Sequence, residues 1–319
     1  MNQNAQTAKE NIRIGIAHHG AGLAPVFAAL ESGAFDAAGL VVELVDCPGH
    51  PRAMKALLDG EVDFVNSVGP EVLLANQRHR GDAVVIASAI SRSAQQVSAR
   101  PGLGSREDLR GKRWGVGARS DMDECAILTA FDRWGWEIGR DARIVVVGSD
   151  RPRLDLLLDA EQVDVAIMHA PETFQAAKRG WRMIEDLGRL DVAFQNSCAA
   201  TTRRVAAQRG NVVSRYVQAF CEGVWRFRTD ARFGVDVLRK HTGEADMGVL
   251  EDTWVLFARL MGGMMFPSVE GMRNAADTLH RLGGLPAPVA PADVVDLLPV
   301  ATLEQDGYFS RLMGLHGRR

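Results

Sequence analysis

The sequence predicts an α/β protein of two lobes, each a mostly parallel sheet flanked by helices. Three observations lead there. Short apolar strands alternate with helical segments from Ile12 onward, the pattern of βαβ units and parallel sheets. Two stretches rhyme: "ALLDGEVDFVNSVGPEVLLA" and "LLLDAEQVDVAIMHAPETFQA" each run helix, turn, apolar strand and Pro-Glu helix start. The length of 319 residues exceeds what one hydrophobic core usually organises.

The elements follow in order. "IRIGIA" is the first strand, leading to a helix from about Leu23 to Ser32. "GLVVELVDC" is the second strand. "HPRAMKALLDGEV" is a helix closed by Gly60, with Ala53, Leu57 and Leu58 on one face. "VDFVNSV", "PEVLLANQR" and "AVVIASAIS" read as strand, helix and strand. Near Ser91 a Gly/Pro-rich entry opens a second strand–loop–helix unit, "DLRGKRWGVGARSDMDECAILTAFDRWGW". "DARIVVVGS", the second rhyming stretch and "WRMIEDL" complete that lobe. Beyond about Leu190 the chain reads as chiefly helical, with Pro and Asp breaks after Pro286.

Composition narrows the function classes. Apolar residues make up 46% and charged residues 24%, the balance of an ordinary globular protein. A formal charge of −3 and scattered basic residues without interleaved aromatics argue against nucleic-acid binding. Cys47, Cys125, Cys198 and Cys221 form no CxxC pair and predict free thiols in a reducing compartment. No stretch approaches the ~20 apolar residues of a membrane span. The polar start "MNQNAQTAKENIRIGI" has no signal-peptide pattern, so the expectation is a cytoplasmic protein, or a periplasmic one if a signal has been trimmed.

The stretches "IRIGI", "APVFAALESGAFDAAGLVVELVD", "AMKALLDGEVDFVNSV", "SREDLRGKRWGVG" and "LLLDAEQVDVAIMHAPE" carry a resemblance. From Ile12 to Gly188 the chain resembles the type 2 periplasmic-binding-protein fold, in its nitrate/sulfonate/taurine and thiamine-precursor group. That resemblance implies lobe one at 12–92 plus 195–319, with a helical C-terminal part. It implies an inserted lobe two at 93–194, and a ligand trapped between the lobes by hinge closure. It also implies an ABC permease partner if the protein is exported. The same scaffold carries enzymes, so fold alone does not choose between them.

In such sheets ligands bind beyond the carboxyl ends of the strands. The loops there hold His18, His19, Gly20 and Gly22; Asp46, Cys47, Pro48, Gly49 and His50; and Asn66, Ser67, Val68 and Gly69. From the second lobe come Arg119, Ser120 and Asp121, with His169 and Glu172. Four of the eight histidines fall in these short loops. Singly, each reads as an ordinary loop residue; together they point to a ligand.

Three chemistries compete for them. A zinc or iron ion could be held by cleft His and Cys, although no contiguous motif supports it. Cys47 could be a nucleophile with His50 as base and His19 nearby, the catalytic set of a leaderless lyase or hydrolase acting on a small aromatic or heterocyclic acid. Alternatively, the imidazoles recognise a small organic acid, sulfonate or heteroaromatic ligand, as in a transporter-type solute-binding protein, and this is the preferred reading. Neither known enzyme pattern transfers: the desulfinase cysteine position is taken by His18 and His19, its Arg-Gly-Gly by "SVGP", and the cysteine cluster of the pyrimidine synthase is absent. Within "GARSDMDE", Asp121, Asp123 and Glu124 sit where a helix start would hold an anion, with Ser120 or Asp121 as N-cap. "GVGARS" lacks the dinucleotide fingerprint. "GSDRPR" could hold a phosphate but more simply forms a solvated turn, and "LMGGMMFP" reads as core packing.

Overall fold

A computed structural model describes residues 9–147, 153–159 and 163–316. The chain begins with β1 (Glu10–Ile16), α1 (Ala24–Glu31), α2 (Ala34–Ala37), β2 (Leu40–Asp46), α3 (His50–Asp59), β3 (Phe64–Ser67), α4 (Gly69–His79) and β4 (Ala83–Ser88). It crosses into β5 (Gln96–Ala99), β6 (Lys112–Val116), α5 (Met122–Trp134), β7 (Ala142–Val146), α6 (Arg153–Asp159), β8 (Val165–Met168), α7 (Glu172–Lys178) and β9 (Arg182–Asp186). It returns through β10 (Cys198–Thr202) to α8 (Arg203–Gln208), α9 (Gly210–Thr229), α10 (Ala231–Thr242) and α11 (Met247–Leu260). The last elements are α12 (Val269–Arg281), α13 (Leu298–Gln305) and α14 (Tyr308–His316).

Two five-stranded sheets result, ordered β2-β1-β3-β10-β4 in lobe one and β7-β6-β8-β5-β9 in lobe two. Both are mixed. β1 runs parallel to β2 and β3, and β6 parallel to β7 and β8. The strands that enter from the other lobe run antiparallel: β10 against β3 and β4, β5 against β8 and β9. β10 is a strand in the stretch after Leu190 that was expected to be chiefly helical. Its "CAATT" begins on Cys and two alanines, of which Ala is depleted in strands, and it becomes a strand because Ala199 and Ala200 are buried between neighbours on both sides.

Strand alternation sorts the cores. Ile12, Ile14 and Ile16 of β1 face a cluster that contains Phe27, Phe64, Tyr216 and Phe220. Val65, one residue beyond Phe64, turns to the opposite cluster with Met54, Leu57 and Val72. In lobe two, Val165 and Ile167 join Trp114, Phe131 and Trp136, whereas Ala166 and Met168 pack with Leu154 and Trp181. Packing is tight where α9 crosses α1: a Cβ on Gly223 would lie 2.5 Å from the Ala29 nitrogen, so only glycine permits the approach. Met261 and Met265 of "LMGGMMFP" are buried in the lobe-one core. Gly148–Pro152 of "GSDRPR" lie outside the described residues.

Side chains on helices link the lobes. Arg281 of α12 forms a two-pronged ion pair with Asp132 of α5 at 2.7 and 2.8 Å. Lys178 of α7 pairs with Asp246, and Gln175 donates to Glu244. The two crossovers are stitched together by Ala89 N–H to Ser197 O at 2.9 Å and Asn196 N–H to Ile90 O at 3.0 Å. Among the described residues, no helix is long and apolar enough to cross a membrane.

Candidate functional site between the lobes

The loops after β1, β2, β3, β6 and β8 all lie at carboxyl ends of strands. Each ends quickly in a helix, so side chains in them are held by short connections. Gly49, at φ +84°, turns the chain so that His50 becomes the first residue of α3.

Four histidines are brought together. The rings of His18 and His50 meet edge to face with centroids 5.2 Å apart. His169, arriving from lobe two, is close enough to act electrostatically on both, and His19 acts on His18. His18 Nδ1 accepts the Gly20 backbone N–H at 2.9 Å. A Cβ at Gly20 would fall 2.7 Å from that same Nδ1, so glycine is what lets the ring and backbone approach. With Nδ1 occupied as acceptor, a neutral His18 carries its proton on Nε2. His50 Nδ1 makes a long contact of 3.4 Å with the Ser67 hydroxyl. His169 Nε2 donates to Asp123 Oδ1 at 2.9 Å, and Asp123 is buried. His19 stacks on Phe27 at 5.9 Å, lies 3.5 Å from Asp46, and remains exposed.

Burial, then the imidazoles of His50, His169 and His19, push the pKa of His18 down to about 3. Burial, then His169, pushes His50 down to about 4. His18 keeps part of its ring open to solvent, which tempers the size of the effect and not its direction. Both rings are therefore uncharged at neutral pH.

The other expected residues are placed differently. Cys47 is fully buried beside Met54 and Val65, and burial raises its thiol pKa. A thiol so placed stays protonated and shielded from a cleft ligand, which sets the structure against a nucleophilic Cys47 with His50 as its base and His19 nearby. Its loop position suggested access; its side chain turns inward. Val68 is the buried N-cap residue of α4, and Glu172 is half-buried at the start of α7. Arg119 folds back on Glu124 at 2.7 Å. Ser120 adopts φ +57° and donates its hydroxyl to the Leu282 carbonyl of lobe one at 3.3 Å. Asp121 caps α5, accepting Glu124 N–H at 2.9 Å and Ala118 N–H at 2.7 Å. Among the described residues no group of three or more His, Cys, Asp or Glu is arranged to hold a metal ion.

Sequence reasoning missed the buried side chains of the second crossover. Ser197 Oγ donates to the Gly22 carbonyl at 2.7 Å, and the Asn66 amide donates to the same carbonyl at 3.2 Å. Gln195 Nε2 donates to Ser88 Oγ at 2.7 Å, and its Oε1 accepts Ser268 N–H at 2.8 Å. The only local signal was the polar run "FQNSC" before a strand.

Comparison with known proteins follows this architecture. No curated protein matches the chain significantly. Solved structures match in fold. The alkanesulfonate-binding protein SsuA from Xanthomonas axonopodis pv. citri, bound to MOPS, is 18% identical with a TM-score of 0.73, covering 91% of this chain and 99% of that one. The ligand-binding component of an ABC-type import system from Staphylococcus aureus, with zinc bound, is 13% identical with a TM-score of 0.75, covering 92% and 98%. The periplasmic nitrate-binding protein NrtA from Synechocystis PCC 6803 is 13% identical with a TM-score of 0.72, covering 93% and 89%. These likenesses establish the two-lobed periplasmic-binding-protein fold. A family model described as NMT1/THI5 like matches residues 21–227, well over half of the sequence, and the chain belongs to that family.

Proposed function

We propose that this protein is a solute-binding protein that holds one small molecule between its lobes and closes around it by hinge rotation. The ligand rests against His18, His19, Gly20, His50 and Ser67 from lobe one and His169 from lobe two. The observation that carries the reading is the meeting of imidazoles from separate strand-end loops of both lobes. Residues drawn from two rigid bodies gain their full set of contacts only when the bodies close, which couples binding to closure. The ligand falls within the organic-acid, sulfonate and heteroaromatic range, and an ABC-type permease is the partner that such a receptor would serve. The likeness to import-system components supports this assignment.

The test is native mass spectrometry of the protein purified from its own host, followed by titration of the co-purified molecule. His50→Ala and His19→Ala should each weaken its binding about tenfold, the worth of one hydrogen bond in a desolvated site. Unchanged affinity in both variants, or turnover of the molecule by the purified protein, would sink the reading.

A further inference from the structure

His169 and Asp123 come from different elements of lobe two and meet beside the histidine cluster. His169 follows the carboxyl end of β8, and Asp123 lies in the first turn of α5. His169 Nε2 is 2.9 Å from Asp123 Oδ1. An ionised carboxylate can only accept, so the hydrogen of this bond sits on Nε2. The Asp123 side chain is 6% exposed, whereas that of His169 is 38% exposed. One ring nitrogen is anchored on a buried group while part of the ring stays open.

The backbone beneath the ring is fixed by other contacts. The His169 carbonyl accepts the Thr173 N–H at 3.1 Å. Thr173 Oγ1 donates in turn to Gln96 Oε1 of β5 at 2.9 Å, and both residues are buried. The loop that carries His169 is thereby tied to its own sheet. Asp123 adds what the loop cannot supply: the rotation of the imidazole and the nitrogen on which its proton rests. The ring adjoins lobe one, since it lies near enough to His18 and His50 to act on both.

We infer that Asp123 is a positioning residue, which acts on the bound solute only through His169 by holding that imidazole in its Nε2–H form. This rests on the solute-binding reading above and deepens it. The ring nitrogen left to the solute is Nδ1, an acceptor, and an acceptor calls for an O–H or N–H on the solute. His18 is fixed in the complementary sense: Nδ1 accepts the Gly20 N–H internally, and the nitrogen left over is a donor. A solute carrying both a donor and an acceptor satisfies both rings, whereas one with acceptors alone leaves His169 unmatched.

The experiment has two arms, both on the full chain. The first is NMR of the ring nitrogens in isotope-labelled protein at about pH 8, above the ordinary histidine range, with the His169 signals identified by their loss in His169→Gln. Wild type should show a protonated Nε2 and a bare Nδ1. Its Nε2 proton should exchange with water about tenfold more slowly than the ring proton of the exposed His19, and Asp123→Ala should abolish that protection. The second arm titrates the molecule identified by mass spectrometry above. Asp123→Ala should weaken its binding about fivefold in the wild-type background and cause no further loss in His169→Ala. A wild-type His169 protonated on Nδ1 or on both nitrogens, a protected Nε2 proton in folded Asp123→Ala, or an equal loss in both backgrounds overturns the inference. If Asp123→Ala does not fold, the wild-type spectrum decides. The two readings fail separately: if no molecule co-purifies, the receptor reading falls while the ring spectra still decide whether Asp123 sets His169.

Discussion

His50 of lobe one and His169 of lobe two each follow a strand end, and they differ in what they lean on. His50 has a neutral hydroxyl, Ser67, at 3.4 Å. His169 has a buried carboxylate, Asp123, at 2.9 Å. The contrast extends outward. Lobe one brings the imidazoles of His18 and His50, whose pKa values are lowered; lobe two brings Asp121, Asp123 and Glu124, which engage backbone N–H groups, Arg119 and His169. One side is made neutral by burial and the other by pairing. These two routes respond differently to mutation and to pH.

The lobes also differ in their cores, and there the largest effect is expected. Lobe two packs Trp114 edge to face on Phe131 at 5.1 Å, with Trp134 and Trp136 beyond. Trp114→Ala should cost about 3–5 kcal/mol in urea unfolding. Trp114→Phe should cost much less, because the buried indole N–H has no partner to lose. Equal losses in the two variants would contradict that account.

Acid tests the neutral side. His50 and His18 have folded pKa values of about 4 and about 3, below the value near 6.5 of an unfolded chain. Between these limits the unfolded state binds more protons, so stability is fully present above pH 6.5 and is lost as pH falls toward 4. The slope approaches ~1.4 kcal/mol per pH unit for each buried histidine, less for the partly open His18. His50→Gln should flatten the stability profile between pH 6.5 and 4.5; a slope identical to wild type would show that His50 is not held neutral by burial.

Pairing on the other side yields smaller numbers. Asp121→Ala removes the N-cap of α5 and should cost about 1 kcal/mol. Arg281→Ala breaks the two-pronged bridge to Asp132 between the lobes, but both partners are half exposed. Its effect on stability should be only a few tenths of a kcal/mol, and should shrink further in 0.5 M salt. A larger, salt-resistant loss would mean that this contact, and not the crossover network, holds the lobes together.

Much of this was legible in the sequence, for local reasons. Gly60, Gly49 and the Asp121 cap act within a turn of their neighbours, and the β1 and β3 runs announce themselves by apolar content. β10 was not legible, since "CAATT" becomes a strand only between β3 and β4. Cys47 and His50 are three residues apart, and nothing local says that the thiol turns into the core while the ring turns to His18.

The sequence by itself determined most elements, their order, and which loops stand at carboxyl strand ends, because hydrophobic period and capping are properties of short windows. Tertiary structure alone decided which side chains from those loops meet and what charge they carry. The pKa of His18 is lowered in part because His50 and His169, far away in sequence, lie near it, and Glu124 is buried where the Ser120 loop and Arg119 fold onto it. Desolvation and pairing of this kind are set by neighbours in space.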